Sequence, residues 1–462
     1  MTRVVVVGAG KMGLPLAAAF ASSGCRVTAC DTNPEVVRSI NEGRCSMEEP
    51  GLPELIETAA RRGLLDATSS TAEAVKTADV VVVIVPVVLT PEREADLSRM
   101  EAATREVAKG LKQGAMVCFE TTLPVGTTRR VLTPILESGG LKAGKDFDVV
   151  FSPERVKSGS VLSQLKRNPK VVGGLTPQAT ERAARFYSET LGCPVSCMES
   201  AEAAELTKLA GMLYRDVNIA LANELAAYAA REGVDFGPVL EAANTDGESG
   251  LLLPGIGVGG HCTPIYPYFL TRAARRQGLR MSLAEDARRA NDEAPARALA
   301  RVEAHWGPLK GRRVLILGLA FRPQVKEQIC SPAYLLRDEA ARLGAEVLVH
   351  DSLYTDEEIK ALGFTPSPLE CNPTAEVVVL NTAHRAFENL DFSKLAGQGV
   401  KVIVDGRNLW TAEAVRKAGL AYFGIGRPAK AGKAKRAAAP IPVCRPSFGP
   451  EEEEAVRRVV SS

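Results

Sequence analysis

Apolar residues in this chain follow two rhythms. Short continuous runs rich in valine alternate with stretches in which apolar residues recur every three or four positions. The segment "RVVVVGAG" (3–10) predicts a strand entering a turn. "LPLAAAFASSG" (14–24) predicts a helix closed by Gly24, and "CRVTACD" (25–31) the next strand. "ADVVVVIVP", "GAMVCFETT" and "FDVVFSPE" predict later strands. Strands apolar along their whole length are buried on both faces, as in a parallel sheet covered by helices. A doubly wound domain ending near residue 198 is therefore expected.

Residues 201 to 232 predict one long helix, with no proline and a single glycine. Leu206, Leu209, Leu213, Val217, Leu221 and Leu225 recur along it at three and four. Such a spine joins two domains or packs against a second subunit. More helices are expected from Tyr266 to about Trp306. "GRRVLILGLAF" then restarts the α/β rhythm, which continues through "AEVLVHD", "AEVVVLNTAH" and "VKVIVDGRNLW". The expected fold class is α/β: two Rossmann-like doubly wound parallel-sheet domains joined by a long central helix and a helical core. The expected boundaries are 1–198, 199–311 and 312–427, with a tail over 428–462. The tail opens on the basic linker "RPAKAGKAKRAAAP".

Composition narrows the classes of function. A net charge of +2 over 462 residues gives no basis for nucleic-acid or membrane-surface binding. No apolar run is long enough to span a bilayer. The opening "MTRVVVVGAGKMG" reads as a first strand rather than a signal peptide, so a cytoplasmic protein is expected. The ten cysteines include no CxxC pair, and Cys193 and Cys197 have no histidine at zinc-finger spacing. No metal centre is expected, and most of the cysteines are expected to be small core residues.

"GAGKMG" sets Gly8, Gly10 and Gly13 in a GxGxxG pattern between a strand and a helix. Asp31 ends the following strand. The glycines allow a tight turn and close approach of a pyrophosphate, and the acid can bond a ribose 2′-hydroxyl. Asp31 is followed by Thr32 and Asn33 with no arginine, which favours NAD over NADP. Lys11, Met12 and Pro86 complete the expected cofactor surface.

"PGIGVGGHCTPIYPYFL" (254–270) places Cys262 after Gly255, Gly257, Gly259 and Gly260. The thiol could be a nucleophile, a metal ligand or a buried side chain, and the absence of partner ligands at zinc spacing weighs against the metal. NAD together with a nucleophilic cysteine predicts a two-stage oxidation. An alcohol is oxidised to an aldehyde, the thiolate adds to it, and a second hydride transfer leaves a thioester that water releases. A cation is wanted for the oxyanions and a carboxylate for the water. Lys208 on the long helix and Glu154 in "SPERV" are the candidates.

These motifs, in this order, resemble the nucleotide-sugar 6-dehydrogenases over roughly residues 3 to 427. The resemblance rests on "GAGKMGLPLA", "EPGLPELI", "ETTLPVGTT", "SPERV", "YRDVNIALANEL", "PGIGVGGHCTP", "GLAFRP" and "GRNLW". Two of these, "SPERV" and "YRDVNIALANEL", are more similar to the UDP-N-acetylhexosamine branch. The resemblance implies an NAD domain, a helical dimerisation core and a C-terminal UDP-sugar domain. It implies Cys262 as nucleophile, Lys208 as oxyanion stabiliser, Glu154 in acid–base or water chemistry and Thr122 beside the nicotinamide. It further implies Arg155, Arg215, Asn218, Phe321, Arg322 and Arg407 near the UDP-sugar, with the glycine loop beside the hexose.

Three positions depart from the family pattern. Met212 stands where an asparagine is usual, Tyr266 where an aspartate is usual, and Ile329 where an arginine usually reaches the cofactor. Both a diverged active enzyme and an impaired NAD- and nucleotide-sugar-binding homologue fit this pattern. The tail segment "IPVCRPSFGPEEEEAVRRVVSS" looks like the opening of a PLP-dependent sugar aminotransferase, without the lysine that would hold PLP. That would link the chain to aminated sugar acids for a surface polysaccharide.

Overall fold

The computed structural model describes residues 1–45, 47, 49–157, 159–369 and 375–429. The basic linker and the aminotransferase-like tail lie outside the described residues, apart from the linker's first three positions. The described chain to Ala429 forms one compact unit.

The first sheet uses β1 (Arg3–Val7), β2 (Arg26–Cys30), β3 (Leu65–Thr68) and β4 (Val80–Val83). A hairpin of β5 (Val88–Leu89) and β6 (Ala95–Asp96) follows, then β7 (Met116–Phe119), β8 (Asp148–Phe151), β9 (Lys170–Gly174) and β10 (Val195–Cys197). The strand order is β10-β9-β8-β7-β4-β1-β2-β3. All neighbours are parallel except β8 and β9, which run antiparallel. Every residue of β4 and β7 is buried, as their unbroken apolar runs require. Gly13–Ser22, the helix after β1, buries eight residues, chiefly alanine and leucine, between the sheet and neighbouring helices.

The second sheet is parallel throughout, in the order β12-β11-β13-β14-β15. Its strands are β11 (Arg313–Leu317), β12 (Glu346–His350), β13 (Val377–Leu380), β14 (Val402–Asp405) and β15 (Ala421–Gly424). Its first turn repeats the design of the first sheet. Gly8 N–H donates to the Cys30 carbonyl at 2.8 Å, and Gly318 N–H to the His350 carbonyl at 2.7 Å.

Between the sheets runs the helix Ala201–Arg231, about 46 Å long at 1.5 Å per residue. Ser200 caps it by accepting from Ala203 N–H at 3.1 Å, with Glu202 in the first turn and Arg231 in the last. Leu209 is buried, but Leu206, Leu221 and Leu225 are exposed, as are Tyr214 and Tyr228. The apolar spacing thus belongs partly to the core and partly to an outward face. A buried polar cluster fixes the helix to Ser282–Asp292. Asp216 pairs with Arg288 at 2.6 Å, and Asn291 donates to the Asp216 carboxylate at 2.8 Å. Among the described residues, no helix is long and apolar enough to cross a membrane.

Candidate active site

The turn after β1 is shaped by contacts that side chains would break. Gly8 adopts φ +100°, and a β-carbon there would lie 2.8 Å from the Ile84 carbonyl oxygen. At Gly13 a β-carbon would meet the Gly8 oxygen at 1.8 Å, whereas Gly10 faces open space. Asp31 accepts from Ala9 N–H and Asn33 N–H, both at 2.9 Å, so its carboxylate is anchored at the rim of the turn. An extended dinucleotide fits this cradle: open at Gly10, with a helix N-terminus behind it and a carboxylate beside it. Lys11, on the turn, forms an ion pair with Glu327 from the second sheet's first loop. Pro86 is exposed just past β4, and Met12 is half-buried.

Three segments are fastened to one face of the long helix. Buried Glu205 accepts from Gly126 N–H, from Thr128 N–H at 2.9 Å and from the Thr128 hydroxyl at 2.6 Å. This fixes the turn of "ETTLPVGTT", and burial pushes the Glu205 carboxyl up to about 7. One turn on, Lys208 Nζ donates to the main-chain carbonyl of Glu154 at 2.7 Å. Further along, Asn218 holds Gly250 and Leu252, donating to one carbonyl at 2.7 Å and accepting from the other N–H at 2.8 Å. Asn223 accepts from Gly255 N–H at 2.9 Å. Both asparagines therefore position the glycine loop, while Arg215 is exposed on the helix.

The loop delivers Cys262 to the start of the helix Tyr266–Arg276, where its carbonyl accepts from Tyr266 N–H at 2.9 Å. Cys262 is partly exposed. Burial lowers the Lys208 ammonium from its usual range, and the nearby Cys262 and Glu154 oppose that shift. The Tyr266 hydroxyl lies against both the Cys262 thiol and the Thr122 hydroxyl, and burial raises it far above the usual phenol range. Neighbouring Thr121 donates to the Val85 carbonyl at 2.7 Å, beside the position a Gly8 side chain would take. A continuous path of contacts thus leads from the sulfur to the dinucleotide turn.

The glycines of the loop are explained largely by packing. A β-carbon at Gly259 would sit 2.6 Å from Phe321 Cβ, and one at Gly260 would sit 2.9 Å from the Phe321 ring. The Arg322 guanidinium lies 5.8 Å from that ring. Arg407 donates to the carbonyls of Asn381 at 2.7 Å and Gly257 at 3.3 Å. Burial alone pulls this guanidinium down to about 10, and among the described residues no carboxylate offsets it. A cation so placed suits a phosphate ligand.

Glu154 is held on every side. Its N–H donates to the Glu120 carbonyl at 3.0 Å. Its carboxylate accepts from Arg155 N–H at 2.6 Å, Val156 N–H at 3.0 Å and Lys170 Nζ at 3.2 Å. Burial would raise this carboxyl, but Lys170 and the N–H donors bring it below its ordinary value. The Arg155 side chain is exposed. Sequence reasoning missed Glu120, Lys170, Glu205, Asn223 and Glu327. Charges set directly at strand ends, as in "CFETT" and "NPKVVGG", were the available signal. Core burial of the cysteines is also less general than expected. Cys25, Cys30, Cys118 and Cys193 are buried, but Cys197 and Cys330 are exposed.

Comparison with known proteins agrees with this architecture. The chain matches the UDP-glucose/GDP-mannose dehydrogenase family in three parts: its NAD binding domain over residues 2–191, central domain over 202–293 and UDP binding domain over 315–412. It is 33% identical over 432 residues to the UDP-N-acetyl-D-mannosamine dehydrogenase of Pyrococcus horikoshii, covering 92% of this chain and 99% of that protein. The enzyme of that name from Escherichia coli strain K12 is 31% identical, over 88% and 99% of the two chains. The solved structure of the Pyrococcus horikoshii protein superposes with a TM-score of 0.84 at 32% identity, covering 93% of this chain and all of that one. An NDP-N-acetyl-D-galactosaminuronic acid dehydrogenase from Methanosarcina mazei superposes at 0.78 and 30% identity, over 93% and 96%.

Proposed function

This chain belongs to the UDP-glucose/GDP-mannose dehydrogenase family, and we propose that it oxidises the C6 hydroxymethyl of a UDP-N-acetylhexosamine to the carboxylate through a Cys262 thiohemiacetal and thioester. The observation that carries this reading is the meeting of Cys262, Lys208, Tyr266 and Thr122 at the end of a contact path from the dinucleotide turn. The names of the relatives from Pyrococcus, Escherichia and Methanosarcina favour an N-acetylated hexosamine.

The Gly8–Gly13 turn and Asp31 would hold NAD, which would supply the hydride acceptor for the two oxidations. Lys208 stabilises the oxygen as it gains charge, first in the thiohemiacetal and then in the tetrahedral intermediate of hydrolysis. Tyr266 and Thr122 keep the thiol aimed into the site. Glu154 stays ionised, the state required of a base for the hydrolytic water. Water attack on the thioester carbonyl breaks the C–S bond, returns the thiol and releases the acid. Arg407, and Arg322 stacked near Phe321, would face the diphosphate. The same reading makes the enzyme a cytoplasmic homodimer formed along the long helix, supplying uronic acids for surface polysaccharides. The exposed Leu206, Leu221, Leu225 and Tyr228 support the dimer.

Tyr266 and Met212, in the places of a usual aspartate and asparagine, favour one competitor: a protein that binds both ligands without turnover. Counting NADH formed per sugar, at substoichiometric UDP-N-acetylmannosamine, UDP-N-acetylglucosamine and UDP-glucose, separates the two. Two NADH per sugar, lost in Cys262→Ala, is the expected result. One NADH would mean the reaction stops at the aldehyde. None, with both ligands still bound, would overturn the assignment in favour of the competitor.

A further inference from the structure

Behind Glu154 lie two buried charges, Lys170 and Glu120, that the proposed reaction does not use. Lys170 opens β9, its side chain 6% exposed, and its Nζ lies 2.5 Å from Glu120 Oε2 and 3.2 Å from Glu154 Oε2. Glu120, just past β7, has no exposed surface and accepts from the Tyr187 hydroxyl at 2.7 Å on its other oxygen. Cys118 and Cys193 border the cluster, and Arg182 is the next cation out. A lysine placed this deep is tolerated only when paired, and removing either partner leaves an uncompensated charge. Three groups share a network in which one ammonium serves two carboxylates.

The position of Glu154 gives the cluster a consequence at the sulfur. The carboxylate of this residue faces Lys170 on one side, while its carbonyl faces Lys208 on the other. Besides Lys170, Lys208 is the cation whose charge bears on that carboxylate. A carboxylate turned to Lys208 would take the ammonium away from Cys262.

We infer that Lys170 is a positioning residue for the cysteine chemistry: it occupies the Glu154 carboxylate, so that Lys208 is held by a neutral carbonyl and stays directed at Cys262. Glu120 shares the Lys170 ammonium with Glu154, and Glu154 alone suffices to hold it. The inference rests on the proposed use of Cys262 as nucleophile and of Lys208 as its cation.

The test pairs turnover with a readout that needs no sugar. The rate of iodoacetamide labelling of Cys262, followed on its own peptide by mass spectrometry, reports the cation beside the sulfur. Lys170→Met is expected to lower kcat by about tenfold or more, with both KM values changed by less than about twofold, as for a group acting only on the chemical step. Cys262 labelling at pH 7 should slow in parallel, and Lys170→Arg should restore both. Glu120→Gln, which leaves Lys170 to Glu154 alone, should keep both near wild type, whereas a merely structural cluster would suffer from either change. If Lys170→Met does not fold, the Glu120→Gln/Lys170→Met pair leaves Glu154 as the cluster's only charge and is expected to label slowly. Wild-type labelling in a folded Lys170→Met or in the pair would overturn the inference. If wild type forms no NADH from any sugar, the reaction assignment fails, while the labelling series still decides the role of Lys170.

Discussion

Lys208 meets Glu154 at its main-chain carbonyl, 2.7 Å away, and not at its carboxylate. A carbonyl orients an ammonium without neutralising it. Under the proposed reaction, the lysine keeps its charge for the oxygen that would develop beside Cys262. Lys208→Ala is expected to lower kcat by about 10²–10³-fold, the usual cost of removing one oxyanion donor. NAD binding, measured by fluorescence titration, should be unchanged.

Tyr266 tests whether a phenol does work at this position or only fills space. Its hydroxyl touches Cys262 and Thr122, so Tyr266→Phe removes the polar contact and keeps the ring. Loss of one hydrogen bond of about 1.4 kcal/mol predicts roughly a tenfold fall in kcat. Steady-state kinetics at saturating NAD would check this, and an unchanged kcat would make Tyr266 a spacer.

Gly13→Ala places a β-carbon 1.8 Å from the Gly8 oxygen, so the turn must open. Overpacking of this kind costs about 1–3 kcal/mol. The expected result is a lower melting temperature and loss of the upward shift that NAD gives the wild-type protein.

Arg407 should report on the nucleotide half of the substrate alone. Arg407→Met removes a guanidinium that has no carboxylate partner among the described residues. Losing a charge-assisted hydrogen bond of about 1.5–3 kcal/mol predicts UDP binding weaker by roughly 10- to 100-fold. Calorimetry with UDP and with NAD should show the loss only for UDP.

Stability should fall as pH rises toward 7. Burial pushes Glu120 and Glu205 up to about 7 from the ordinary 4.5. The folded chain therefore keeps protons that the unfolded chain has already released. Each contribution is full below about 4.5 and gone above about 7. The urea midpoint should be higher at pH 5.5 than at pH 8, and Glu205→Gln should flatten part of that slope.

Much of the fold was legible because strands buried on both faces leave unbroken apolar runs, as "VVVV" does in β4. The reversal of β9 was not, because the direction of a buried strand leaves no trace in its composition. The long helix was legible as a helix. Its exposed Leu221 and Leu225 were not separable from core leucines, since periodicity does not say which chain covers a face. Cys262, Lys208 and Glu154 stood out by motif, and the structure gathers them into one place. The glycine loop was read for its openness to a sugar, whereas Phe321 and Arg407 account for much of its need for glycine. Lys170 and Glu120 escaped notice because each is a single charge at a strand end, and only tertiary proximity makes them a cluster.

The fastening of Glu205, Lys208, Asn218 and Asn223 to three different stretches of backbone makes the long helix a ruler for the site. One residue inserted between Lys208 and Asn218 would advance everything beyond it by about 1.5 Å and turn it by about 100°. The marks for the lysine and for the Cys262 loop would then fall on different faces. This stretch should tolerate exchanges of side chain at its exposed positions far better than any change in its length.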